Sequence, residues 1–143
     1  MGVIDDLEIR FAVPADLTAC VAADDLAAAI VRRKIDADEI IVSVAAGDTI
    51  GYLRLEYLWC KMPFVGLIRV QPDRRGQGVG RRMLGFLEAH LRVRGCGFLL
   101  SSSMADAPAA QGWHRKMGFS ECGFLAGVNG GDVGEVFFRK ALG

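Results

Sequence analysis

The stretch that most constrains this chain runs from Val70 to Leu84. An apolar run, Phe64 to Val70, precedes it and reads as a buried strand. After it, Met83, Leu84, Leu87 and Leu91 recur at helical spacing. Between strand and helix lies Gly76-Gln77-Gly78-Val79-Gly80, glycine at every second position, flanked by Arg74, Arg75, Arg81 and Arg82. Glycine lets a backbone approach a ligand closely, because no Cβ intervenes. The first N–H groups of a helix have no intrahelical partner and together carry about half a positive charge. A strand, a glycine loop and a helix start in succession therefore predict an anion site, suited to a phosphate or pyrophosphate.

The loop is not a Walker A motif, since no Gly-Lys-Ser/Thr closes it. Nor is it the dinucleotide fingerprint, because Arg81 stands where the third glycine would fall. Arg75 through Gly80 fits Arg-x-x-Gly-x-Gly, and the strand before it ends Val70-Gln71-Pro72. This resembles the acetyl-CoA pyrophosphate loop of the GNAT superfamily of N-acetyltransferases. An ordinary strand–turn–helix link is the plain alternative, but such a link rarely needs three glycines and four arginines.

A length of 143 residues suits one domain, expected to span residues 1–143. Apolar residues make up 52% of it, which argues against disorder. The 17 basic and 17 acidic side chains cancel, so a nucleic-acid partner is not expected. Six arginines nevertheless fall between Arg74 and Arg94, concentrating basic character around the glycine loop. Cys20, Cys60, Cys96 and Cys122 are scattered without ligand spacing, so no metal is expected. The first six residues lack the basic and apolar regions of a signal peptide, and Asp6 fails the myristoylation pattern. No apolar run approaches the ~20 residues of a membrane span. The expectation is a cytoplasmic protein with reduced thiols and no membrane partner.

In chain order, Leu7–Val13 reads as a strand and Ala15–Ala23 as a helix opened by Pro14. Asp24-Asp25 reads as the cap of a second helix ending near Ile35. Ile40–Ala45, Thr49–Trp59 and Phe64–Val70 form a meander, with a turn at Gly47-Asp48 and a break at Lys61-Met62-Pro63. The helix after the loop spans about Gly78–Arg94 and ends at Gly95. Within it Gly85 reads as a weak point tolerated for close packing, and His90 as a packing or surface residue. A short strand from Phe98 to Ser101 or Ser102, a helix Ala107–Met117 and a hairpin of Phe119–Val128 with Val133–Lys140 complete the chain. This order matches GNAT topology over about residues 7–141. The expected fold class is thus α/β (α+β): a mixed, mostly antiparallel central sheet flanked by helices. The resemblance implies a V-shaped splay between its fourth and fifth strands.

A second block, Trp113-His114-Arg115-Lys116-Met117-Gly118-Phe119, resembles the family segment in which an aromatic, often Tyr, stands four residues before Gly-Phe. Here that position is His114, and an Asn frequent in the family seven residues earlier is replaced by Ala107. The family Tyr lies near the CoA sulfur, so the resemblance implies that His114 protonates the leaving thiolate or acts as a base. An imidazole near pKa ~6.5 is suited to either. A Lys-like acceptor amine, pKa about 10.4, must also lose a proton before attack. Glu56, on the arm Leu53-Arg54-Leu55-Glu56-Tyr57, is the best-placed carboxylate, since Phe64–Val70 carries no Asp, Glu or His. Tyr57, Ser101, Ser102 and Ser103 are candidates to hold water or substrate.

The resemblance implies direct acetyl transfer from acetyl-CoA, a cosubstrate, to a primary amine of a small molecule or peptide. Backbone groups of Ile68, Arg69 and Val70 would pair with pantetheine. Arg75, Gly76, Gln77, Gly78, Val79, Gly80 and Arg81 would hold the pyrophosphate. Tyr57 and Ser101 would meet the acceptor. A non-catalytic acyl-CoA-binding module is the rival reading, and a homodimer is compatible with either.

Overall fold

The computed structural model describes residues 6–143. The first five residues, on which much of the leader and acylation reading rests, lie outside the described residues. The strands are β1 (Glu8–Phe11), β2 (Ile40–Ala45), β3 (Asp48–Leu58), β4 (Met62–Val70), β5 (Phe98–Met104), β6 (Ser120–Leu125) and β7 (Glu135–Ala141). The helices are α1 (Leu17–Ala23), α2 (Ala28–Asp36), α3 (Val79–Val93) and α4 (Pro108–Lys116). In hydrogen-bonding order the strands form a mixed seven-stranded sheet, β1-β2-β3-β4-β5-β7-β6. The chain divides into two compact units: the stretch up to Glu56 with Leu67–His90, and Tyr57–Gly66 with Leu91–Gly143.

In the first unit β1, β2 and β3 pair antiparallel, from Glu8↔Val44 to Ile40↔Arg54. Side chains alternate across a strand, so Val42 and Tyr52 point to one face and Gly51 and Leu53 to the other. The first face packs with Ala12, Cys20, Val31, Ile35 and Ile40, giving α1 and α2 their buried side. On the second face Ser43 Oγ lies 3.6 Å from Met83 Sδ of α3. A Cβ on Gly51 would come within 2.1 Å of Ser43 Oγ, so glycine is required there for space. Met83, Leu84 and Leu87 are buried, as their spacing predicts. His90 packs edge-on against Phe11, with ring centroids 4.9 Å apart.

In the second unit β5 pairs antiparallel with β7, and β7 with the edge strand β6. The parallel β4–β5 ladder has two registered pairs, Phe64↔Leu100 and Val65↔Ser101. So short a parallel ladder fits the splay expected between the fourth and fifth strands.

Several boundaries differ from the sequence reading. The β3–β4 turn lies at Trp59 and Cys60, both with positive φ (54° and 57°), and Met62 and Pro63 belong to β4. That is the two-residue turn geometry matching strand twist, here without the Asn-Gly that announces it. β5 extends to Met104 through three serines, because β7 supplies it a continuous partner down to Ser103↔Val136 and Met104↔Glu135. α2 begins at Ala28, and Asp24 does not cap it. Gly85 is not needed for close packing: a Cβ there meets nothing within 4 Å. Gly85→Ala is therefore expected to stabilise the protein by about 0.5–1 kcal/mol, read as a higher urea midpoint at unchanged slope.

Candidate active site

The glycine loop lies within the first unit. β4 ends at Val70, a single turn covers Pro72–Arg74, and α3 begins at Val79. Gln71 N–H donates to Ile50 O at 2.9 Å, fixing the strand end. Gly76 and Gly78 have φ of 75° and 80°, and neither would meet another atom through an added Cβ. These glycines are present for conformation, since a side chain would strain the left-handed backbone. Alternating backbone hands turn successive N–H groups toward one concave side. Among the described residues no acceptor meets the N–H groups of Gln77, Gly78, Val79 or Gly80. The first turn of α3 contains no acidic residue. Arg75 donates through Nε to Val70 O at 3.0 Å, which leaves its other N–H groups available beside the loop. Val79 is 2% exposed, so the helix start is anchored by its side chain.

Next to the loop, still in the first unit, is a groove of about 340 Å³. Ala19, Ala22 and Ala23 of α1 form one wall, Ile50 and Tyr52 of β3 the floor, and Arg69 and Arg75 the remaining side. Arg69 donates to Ala23 O at 2.9 Å and to Asp25 Oδ2 at 3.3 Å.

Below this wall is a cluster that sequence reading missed. Asp24, with its side chain fully buried, accepts from Tyr52 O–H at 2.6 Å and from Arg54 Nε at 2.9 Å. Its other oxygen accepts the N–H of Asp25 at 2.7 Å. Burial alone would raise its pKa, but the hydrogen bonds from Tyr52 and Arg54 outweigh that and hold the carboxyl below its usual range. Burial, then the bond to Asp24, pushes the Tyr52 phenol upward. The available signal was that Tyr52 and Arg54 are two apart and share a strand face. Nothing local to Asp24 distinguishes a cap from this role. Glu56, on the same face, is tied to Arg54 through its Oε2 and is 41% exposed. It shares the guanidinium with Asp24 rather than standing alone as a carboxylate.

In the second unit His114 is 4% exposed, and both ring nitrogens are engaged. Nδ1 lies 2.8 Å from Ala110 O and Nε2 lies 2.7 Å from Ser101 Oγ. A carbonyl only accepts, so Nδ1 carries the hydrogen and the neutral ring accepts the Ser101 hydroxyl proton at Nε2. The ring stacks on Phe138 with centroids 4.7 Å apart and meets Phe119 edge-on. Burial lowers its pKa, so the neutral form is favoured. Ser101 is 2% exposed and spends its hydroxyl on His114. Ser102 donates to Glu135 Oε2 at 2.6 Å, and Ser103 Oγ is buried without a partner among the described residues. Tyr57 begins the second unit's portion of β3 and is half-buried.

The structure thus brings the loop residues, Arg69 and Arg75 together in one unit, and His114 with Ser101 in the other. No group of three or more His, Cys, Asp or Glu with metal-binding geometry occurs among the described residues, and no helix there is long and apolar enough to cross a membrane.

The model of the acetyltransferase (GNAT) family matches residues 8–119, and the chain belongs to that family. It is 35% identical over 104 residues to streptothricin acetyltransferase of Streptomyces lavendulae, a match covering 70% of this chain and 54% of that protein. The chain therefore spans about half the length of that relative. It is 33% identical over 131 residues to aminoglycoside N(6')-acetyltransferase type 1 of Stenotrophomonas maltophilia, covering 79% of this chain and 86% of that one. Among solved structures, yncA of Salmonella typhimurium, solved with its cofactor acetyl-CoA, superposes with a TM-score of 0.83. Its identity is 19%, with 97% of this chain and 95% of that one covered, so the likeness is one of fold.

Two measurements check the buried groups. Tyr52→Phe removes a hydrogen bond to a buried carboxylate and should cost about 1.5–3 kcal/mol in urea unfolding. His114 has a folded pKa below its unfolded value of about 6.5, so its contribution is complete above that pH and is lost as pH falls below it. As pH falls below ~6.5, stability should drop more in the wild type than in His114→Phe, read from urea unfolding at a series of pH values.

Proposed function

We propose that the protein is an acetyl-CoA-dependent N-acetyltransferase that passes the acetyl group directly to a primary amine of a small molecule or peptide. The observation that carries this reading is the set of unpaired N–H groups at Gln77 to Gly80, held open by Gly76 and Gly78 in the left-handed region. These amides, with Arg75 and Arg81 beside them, suit a diphosphate. The backbone of Ile68 to Val70 is the strand against which a pantetheine arm would pair. The named activities of the two relatives support the reaction class.

Ser101 and His114 supply the proton handling. As held, Nε2 of the neutral ring is an acceptor, so His114 is set to take up a proton through the Ser101 hydroxyl. The resulting imidazolium is then set to give a proton back through the same hydroxyl. This order makes His114 base first and acid second. Glu56, paired with Arg54, serves the electrostatics of the β3 arm.

Isothermal titration with acetyl-CoA should show one site per chain. Gly78→Val, which forces a β-branched residue to a φ of 80°, should weaken it by about tenfold or more. Release of free thiol with a panel of amines should accompany binding. Acetyl-CoA binding without thiol release would instead support the non-catalytic module, and absence of binding would overturn both.

A further inference from the structure

The groove beside the glycine loop carries a charge that the relatives' names would not suggest. Of its twelve lining residues two are arginines and none is acidic. Arg75 forms no ion pair among the described residues, and the side chain of Arg69 is 46% exposed with one carboxylate near it. That carboxylate, Asp25, is 84% exposed and lies outside the lining. The carboxylate nearest the floor, Asp24, is sealed beneath Tyr52, whose hydroxyl it already binds, and is neutralised by Arg54. The rest of the lining is uncharged: three alanines of α1, Ile50, Val70 and Pro72 are apolar, and Thr49 and Gln71 are neutral polar residues.

Aminoglycosides bear several ammonium groups, and a receptor for them needs carboxylates at its walls. This groove offers the opposite. We propose that it is the acceptor pocket and takes an amine that also carries a carboxylate, such as an amino acid or the end of a short peptide. The planar fork of Arg69 binds the carboxylate, Arg75 adds positive charge from the diphosphate side, and the alanine wall admits an apolar side chain. The assignment rests on the acetyltransferase reading above and narrows its substrate class.

The pinned wall makes this pocket preformed. Asp24 ties the end of α1 to β3 through Tyr52 and Arg54, and Arg69 ties the preceding carbonyl to β4. Selectivity then follows from fixed charge.

The test uses the full chain saturated with CoA, titrated with glycine, phenylalanine and glutamate, each beside its α-amide, and with spermidine and kanamycin. At least one acid should bind about tenfold or more tightly than its amide, and neither polycation should bind as well. Arg69→Gln should bring the acid-to-amide ratio near one. Because Arg69 also holds Ala23 O, a second variant, Ala22→Glu, places a carboxylate on an exposed position of the alanine wall and should do the same. Equal binding of acid and amide, preference for a polycation, no binding by any acid, or a ratio untouched by both variants overturns the assignment. So does competition between the acids and CoA, which would mark the arginines as serving the cofactor's own phosphates. Failure of acetyl-CoA itself to bind, measured in the same titrations, would instead overturn the acetyltransferase reading.

Discussion

Everything proposed for this protein depends on backbone amides left without a partner. A buried unpaired N–H costs about 1–3 kcal/mol, which is why nearly all are satisfied in folded chains. At the start of α3 Gly78 is exposed and Gln77 and Gly80 are half-buried, so water can reach this turn and the fold tolerates open amides until an anion arrives. What keeps them pointed is packing on either side. Val79, Met83, Leu84 and Leu87 bury one flank of the helix, and Gln71 is bonded through its main chain to Ile50 and through its side chain to Thr49. The loop between these anchors has two glycines in the left-handed region and little freedom to collapse.

The same logic, applied to side chains, explains the two polar clusters. A carboxylate as buried as Asp24 is destabilising unless several donors surround it. Tyr52, Arg54 and two main-chain N–H groups of the α1–α2 connection do so. The result is a connection that cannot drift from β3 without stranding a charge. His114 solves a milder version of the problem. It stays neutral, and each nitrogen has one partner: Ala110 on its own helix and Ser101 on β5. Both clusters join a helix or its connection to a strand.

The glycine loop, the strand order and most of the core were legible in the sequence because each is written in local pattern. Ile40–Ala45 was read to the residue, since a β-branched run between turn signals has one sensible outcome. The Trp59-Cys60 turn was not, because neither residue advertises a positive φ. Asp24 was misread as a helix cap because its partners lie 28 and 30 residues away, and an acidic pair before a helical pattern has a simpler local meaning. His114 was singled out through its place before Gly118-Phe119, but the partners of its two ring nitrogens were not. Ala110 meets Nδ1 and Ser101 meets Nε2, and only packing decides which nitrogen meets which partner.

This division between legible and hidden features has a chemical cause that bears on specificity. A diphosphate is recognised by main-chain amides, so the sequence needs only glycines and a helix start to hold it, and those travel as a compact motif. An acceptor is recognised by side chains gathered from separate elements, and the groove proposed for it here draws on α1, β3 and the end of β4. Changing an alanine of α1 to an acid would alter the charge of that groove without touching the loop. Relatives can therefore keep the donor chemistry while their acceptors differ in sign of charge. Kinship to an aminoglycoside acetyltransferase speaks to the loop and the fold, whereas the groove must be judged on its own residues. Those residues include two arginines, a phenol already bound to its carboxylate and a wall of alanines, and no acid.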